Sequence, residues 1–154
     1  WPRAVPHEGD GMMDREEIKK LLPHRDKMLL LDSVERVETE EGPVARGRYY
    51  VRGDEWFLSG HFPKKPIVPG VILCEILAQS ACVLLAGKTG DGVLPMFTGM
   101  DGVRFKSPVK PGDIFETECR IVREKHPFYF ASGRGYVGGK LCVCAEFSFA
   151  LTSV

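Results

Sequence analysis

The sequence predicts an α+β domain in which an antiparallel sheet curls around a single buried helix. Three observations carry that prediction. The stretch from Gly70 to Ala86 is apolar on nearly every side, and a helix of that kind in a soluble protein must be surrounded by other structure. Two runs before it and four after it have the length and the Val, Ile, Phe and Tyr content of strands. The four later runs are joined by short turn-rich segments, which favour antiparallel neighbours because a parallel crossover needs about a dozen residues or more.

Residues 1–12 are rich in Pro, Gly and charge and read as a disordered leader or a cloning remnant, with Met12 or Met13 as the natural start. Residues 13–154 read as one domain. Asp14 followed by Glu17 is a capping-box pattern that opens a short helix through Leu22, and Pro23 stops it. The run Met28 to Glu38 ends at Glu40, Glu41, Gly42 and Pro43, so it reads as a strand and a turn, and Val44 to Val51 reads as the second strand. From Gly53 to Pro69, prolines alternate with Trp56, Phe57, Phe62, Ile67 and Val68, which predicts a fixed, packed loop. The long helix follows, with Gly87 and Gly90 as stops. Leu94 to Phe105, Ile114 to Glu124, Phe128 to Tyr136 and Leu141 to Leu151 then read as four strands in a meander, broken by Pro108, Pro111-Gly112-Asp113, His126-Pro127 and Gly138-Gly139.

Composition narrows the function classes. At 154 residues the chain is the size of one domain, and 44% hydrophobic with 27% charged residues is ordinary for a globular protein. Twenty-one basic residues balance twenty-one acidic ones, which argues against a surface built to bind nucleic acid while permitting a local basic patch. The five cysteines have no disulfide-framework spacing and fit a reducing, cytoplasmic setting. Cys142 and Cys144 lack the partner pair of a zinc site, so no metal is expected. The longest apolar run is interrupted by Glu75, Gln79 and Ser80 and is shorter than the roughly 20 residues that cross a bilayer, so no membrane span is expected.

The helix also carries the first sign of chemistry. Glu75 and Gln79 are four residues apart and share one side of it. A carboxylate among Val71, Ile72, Leu73, Cys74, Ile76 and Leu77 is expected to have a raised pKa unless it is well paired, and a carboxyl held protonated is a usable general acid. His61 supplies a base near neutral pH, flanked by Gly60 and Phe62 in the stiff loop. Pro69-Gly70 opens the helix, where the first-turn N–H groups have no intrahelical acceptor and can face a developing oxyanion. Base, acid and oxyanion donor together suit elimination of water next to a thioester. That chemistry requires no cofactor, and the glycines from Gly133 to Gly139 lack phosphate-loop or dinucleotide spacing.

Gly60-His61-Phe62-Pro63, then Pro66-Ile67-Val68-Pro69-Gly70-Val71, then Glu75-Ile76-Leu77-Ala78-Gln79 resembles the signature of 3-hydroxyacyl-[acyl-carrier-protein] dehydratases of the FabZ type. The likeness extends to Leu22-Pro23-His24-Arg25, Leu30-Leu31-Asp32, Gly99-Met100-Asp101, Val103-Arg104-Phe105 and Pro111-Gly112-Asp113, and so covers nearly all of residues 14–151. The resemblance implies a hot-dog fold and a homodimer whose active sites are shared, His61 from one chain meeting Glu75 from the other, with three dimers commonly forming a hexamer. It implies His61 as catalytic base, Glu75 as acid, Gly70 as the backbone donor to the thioester oxygen and Gln79 as a supporting residue. The implied partner is acyl carrier protein bearing a phosphopantetheine-linked acyl chain, drawn by a basic rim for which Lys64, Lys65, Arg104, Lys106 and Lys110 are candidates. Met96 and Phe97 are candidates for a gate on the acyl tunnel, against ordinary core or dimer packing.

Two departures stand out. Lys64-Lys65 replaces the Gly-Arg of many relatives, and Asp26-Lys27 replaces the common aromatic-Pro pair, which leaves the entrance lining open. Glu75, where the related dehydratase-isomerase branch has Asp, favours the simple dehydratase. For His24 and Arg25, capping the first helix and pinning the next strand is preferred over lining the entrance. Two other functions remain open at this point: an acyl-thioester hydrolase using the same oxyanion site, and a non-catalytic carrier-binding subunit.

Overall fold

The computed structural model describes residues 12–85, 88 and 93–153. The leader expected at 1–12 therefore lies outside the described residues except for Met12, which pairs with Glu35 in a short first strand, β1 (Met12–Asp14). Helix α1 (Arg15–Ile18) starts where the capping pattern puts it, with Asp14 Oδ1 accepting from the Glu17 N–H at 2.9 Å. The α-helix is shorter than predicted. The chain continues to Leu22 in tighter turns, and Arg25 satisfies the carbonyls of Lys19 and Leu22 at 2.9 and 2.7 Å.

The second strand, β2 (Ser33–Thr39), begins five residues later than the run from Met28 suggests. Leu29, Leu30 and Leu31 are all buried, whereas a strand with one wet face would bury alternate residues. This segment is instead a strap over the helix, following a 3₁₀ turn at Asp26–Met28. β3 (Gly42–Tyr50) pairs with β2, and the central helix α2 (Gly70–Cys82) runs into a 3₁₀ turn at Val83–Leu85. The predicted last helical residue, Ala86, lies outside the described residues. β4 (Val93–Phe105), β5 (Ile114–Lys125), β6 (Phe128–Val137) and β7 (Lys140–Ser153) follow, each close to its predicted bounds.

All seven strands form one antiparallel sheet in the order β1-β2-β3-β5-β6-β7-β4, curved around α2 in the expected hot-dog arrangement. The predicted four-strand meander needs correction. β5, β6 and β7 are successive neighbours, but β4 pairs with β7 at the sheet edge and β5 joins β3. The short β4–β5 connection permits this, because eight extended residues reach about 26 Å while adjacent strands lie only about 4.8 Å apart. The connection is pinned on its way by Lys106 N–H to Cys142 O at 2.7 Å, Val68 N–H to Val109 O at 2.8 Å and Val51 N–H to Asp113 O at 2.9 Å.

Close approach of α2 to the sheet depends on missing side chains. A Cβ at Gly47 would lie 2.7 Å from both Ser80 Oγ and Thr117 Oγ1, and one at Gly133 would lie 3.4 Å from Leu77 Cβ. The space at Gly47 holds a buried polar chain: Gly47 N–H donates to Thr117 Oγ1 at 2.9 Å, Thr117 and Ser80 hydroxyls meet at 2.7 Å, and Ser80 Oγ donates to Ile76 O at 3.0 Å. These bonds tie helix, β3 and β5 together and fix which helix face turns away from the sheet. Glu75 lies on that other face, half-buried among residues that are otherwise closed off.

Candidate active site

The loop between β3 and α2 is packed only in part, since Trp56 and Phe62, expected to be buried, are 48% and 58% exposed. Phe57, Leu58 and Val68 are buried, His61 N–H donates to Leu58 O at 3.2 Å and Lys65 N–H to Phe62 O at 2.8 Å. Its start is held by Asp32, whose carboxylate accepts from Arg52 at 2.7 Å and from the Tyr50 N–H at 2.7 Å. Gly60 has a φ of 83° and Phe62 one of 58°, so His61 sits between two left-handed residues that turn the chain sharply on either side of it.

One contact decides the state of the imidazole. His61 Nδ1 lies 2.7 Å from the Ile67 carbonyl oxygen, which can only accept. Nδ1 must carry the proton, and in the neutral ring Nε2 is then the free base. The bond also orients the ring, which packs on Phe62 with centroids 4.3 Å apart.

His61 shares an open cleft of about 420 Å³ with Gly70, Leu73, Phe105 and Lys106. Gly70 is the first residue of α2. The first helix-closing bonds come from the Ile72 and Leu73 N–H groups, both to Pro69 O, so the Gly70 and Val71 amides lie ahead of the hydrogen-bond ladder. Glycine at 70 lets the Phe105 ring lie close over the helix start, because a Cβ there would stand 2.7 Å from two of its ring carbons. Phe105 is exposed and can swing aside, so Gly70→Ala is expected to leave the melting temperature within a few degrees of the parent. The same change displaces the Phe105 wall and is expected to lower kcat/KM at least about tenfold, measured side by side with the melt.

Glu75 stands about one and a half turns further along α2. Among the described residues no hydrogen bond or ion pair joins it to His61 within the chain. Its Oε1 instead accepts from Gln79 Nε2 at 3.1 Å and lies 3.4 Å from His24 Nε2. The Gln79 amide is fully used: Oε1 accepts from the Leu30 N–H at 2.9 Å, and Nε2 also donates to Met28 O at 2.7 Å. Gln79 therefore locks the strap to the helix and supports Glu75 at the same time. Arg25 caps the end of the first helix as expected, whereas His24, expected to share that role, turns the other way onto Glu75. No spacing rule links positions 24 and 75, and the buried leucines of the strap were the only hint that it lies on α2. Phe105 was missed for a similar reason, being one aromatic at the end of a long strand.

The remaining candidates divide. Lys106 lines the His61 cleft, Lys64 and Lys65 are exposed in the turn just after His61, Arg104 is exposed near the end of β4, and Lys110 is exposed within the β4–β5 connection. Met96 and Phe97 lie on edge strand β4, where they are 52% and 45% exposed, and Phe97 touches the Phe147 and Phe149 rings at 6.2 Å. Cys74, Cys82 and Cys119 are free, buried thiols, and burial pushes the Cys82 pKa up to about 12, which makes it packing material and not a nucleophile. Among the described residues no cluster of three metal-ligating side chains is present, and no helix is long and apolar enough to cross a membrane.

Comparison with known proteins places this geometry. A model of the FabA-like domain matches residues 22–146. The chain is 43% identical over 141 residues to the 3-hydroxyacyl-[acyl-carrier-protein] dehydratase FabZ of Clostridium beijerinckii, an alignment that spans 91% of this chain and 99% of the relative. It is 43% identical over 140 residues to the protein of the same name from Moorella thermoacetica, spanning 90% and 96% of the two chains. Among solved structures, the dehydratase heterocomplex ApeI:P from Xenorhabdus doucetiae superimposes with a TM-score of 0.74 at 21% identity, covering 88% of this chain and 91% of that one. A hot-dog-like protein from Thermanaerovibrio acidaminovorans gives a TM-score of 0.60 at 14% identity, over 72% and 82% of the two chains.

Proposed function

The chain belongs to the FabA-like family and is a 3-hydroxyacyl-[acyl-carrier-protein] dehydratase of the FabZ type; on that footing we propose that His61 is its catalytic base, Glu75 its acid and Gly70 its oxyanion donor. The reaction is the reversible removal of water from a 3-hydroxyacyl group on acyl carrier protein, giving the trans-2-enoyl thioester in fatty acid synthesis. His61 Nε2 takes the proton from C2 while the Gly70 N–H holds the enolate-like thioester oxygen. Glu75 gives its proton to the 3-hydroxyl, the C3–O bond breaks, the electron pair from C2 forms the new double bond, and water leaves. Hydration is the reverse. The observation that carries the assignment of the base is the commitment of Nδ1 to Ile67 O, inside the cleft that also contains Gly70.

The site is completed by a second copy of the chain. Two facts support this reading. Glu75 and His61 keep separate company within one chain, His24 and Gln79 on one side and the Ile67–Gly70 cleft on the other. Strand β4 is an unpaired sheet edge with Met96, Phe97, Met100 and Phe105 exposed, and Val71 at the start of α2 is 71% exposed. A long apolar edge invites a partner strand. We assign the homodimer to this edge, with Met96 and Phe97 inside it as gate residues of the acyl tunnel, and take a trimer of dimers as the full assembly. Lys106, Lys64 and Lys65, next to the His61 cleft, with Arg104 and Lys110, form the basic rim for the acidic carrier protein. The free cysteines fit a cytoplasmic enzyme.

The test is incubation with a crotonyl thioester. Loss of the conjugated absorbance with formation of the 3-hydroxyacyl thioester and no free thiol is expected. Release of free thiol without hydrated product would instead identify a hydrolase, and an unchanged substrate would identify a binding subunit.

A further inference from the structure

We propose that His24 is a positioning residue for the acid of this reaction, holding one oxygen of Glu75 so that the other is left to exchange the proton. The inference rests on the assignment of Glu75 made above. His24 sits on the strap between α1 and β2, and its Nε2 lies 3.4 Å from Glu75 Oε1. Gln79 Nε2 donates to the same oxygen at 3.1 Å. Oε1 thus accepts from Gln79 and has the His24 ring nitrogen close beside it, from a second element, and Oε2 is the oxygen left for the substrate hydroxyl. A carboxyl that rotated freely would present either oxygen; this one is indexed.

The other face of the imidazole defines its working form. His24 Nδ1 is buried without a hydrogen-bond partner among the described residues. A buried unpaired N–H on a cationic ring costs more than a buried unpaired lone pair, so the form that fits is the neutral ring with its proton on Nε2, the nitrogen 3.4 Å from Glu75 Oε1. The ionisable groups that face Glu75 are His24 from the strap and Cys82 from α2, with His61 of the partner subunit opposite on the proposed reading. The Cys82 thiol, pushed up to about 12 chiefly by burial and then by the Glu75 charge, stays neutral across the working range. The anchoring is itself supported: Gln79 holds the strap at Met28 O and Leu30 N, and Arg25 holds its start to the end of the first helix.

The test is the kcat and KM of dehydration in the wild-type enzyme and in His24→Leu and His24→Gln. The kcat of His24→Leu is expected to fall about tenfold with KM little changed, because the lost orientation matters in the transition state. His24→Gln, whose amide N–H can reach Glu75, is expected to restore it. If His24→Leu fails to fold, His24→Asn, polar but too short to reach, takes its place and must show the same loss of kcat. An unchanged kcat, or a change confined to KM, overturns the proposal. Wild-type turnover in Glu75→Gln would defeat the assignment of the acid itself, whereas a strongly slowed Glu75→Gln beside an unchanged kcat in the His24 variant defeats only the role of His24.

Discussion

Replacing His61 by alanine is expected to lower kcat for both dehydration and hydration at least about a hundredfold, the usual scale for losing a general base. The loss should fall on kcat and kcat/KM together, because in the proposed mechanism the imidazole acts on the C2 proton and not on the acyl chain. The fold should survive. His61 is half-buried on a loop held by Phe57, Leu58 and Val68, and the one bond its ring makes to that loop, to Ile67 O, is matched by backbone bonds at Leu58, Phe62 and Val109. His61→Ala with unchanged turnover, measured by enoyl absorbance on a variant of normal melting temperature, would remove the base from the mechanism.

Glu75→Gln is the second large effect. The amide keeps the size of the carboxyl and can still meet Gln79 and His24, so packing of α2 is preserved. It cannot deliver a proton to the departing hydroxyl, and a loss of at least about a hundredfold in kcat is expected. Because the amide imitates the protonated acid in shape, binding of the 3-hydroxyacyl thioester should change little. A variant that turned over normally would show that another group protonates the leaving oxygen.

Much of this fold was legible in the sequence because each element declares itself locally. The Asp14 cap and the opening of α2 at Gly70 lie where predicted, and the turn residues around β5 to β7 place those strands within about two residues, whereas α1 and α2 both end earlier than their patterns suggest. The order of strands did not declare itself, since the length of the β4–β5 connection limits distance and does not name a neighbour. The strap at 28–31 was read as strand because three leucines look the same in a buried strand and in a segment laid across a helix. What separates the two is the Gln79 amide, 49 residues from Leu30, taking the place of a neighbouring strand.

The site divides along the same line. His61, Gly70 and Glu75 stood out because each residue type is unusual where it occurs: an imidazole between turn residues, a glycine opening an apolar helix, a carboxylate within it. Their supports were hidden, since the Ile67 carbonyl is a backbone group without a sequence signature, and His24 meets Glu75 only through the path of the strap. Residue chemistry is visible in one dimension, whereas orientation depends on partners far away in the chain.

The claim on which the mechanism depends is that the base of one subunit works with the acid of another, and mixed dimers test it most directly. His61→Ala and Glu75→Gln are each expected to be nearly inactive, but with shared sites a dimer containing one of each would retain one site with both groups intact. Random subunit exchange makes half of all dimers mixed with one good site in two, so recovery to about a quarter of wild-type activity is expected. No recovery, in a mixture in which hybrid dimers have been demonstrated by differential tagging, would contradict a shared site.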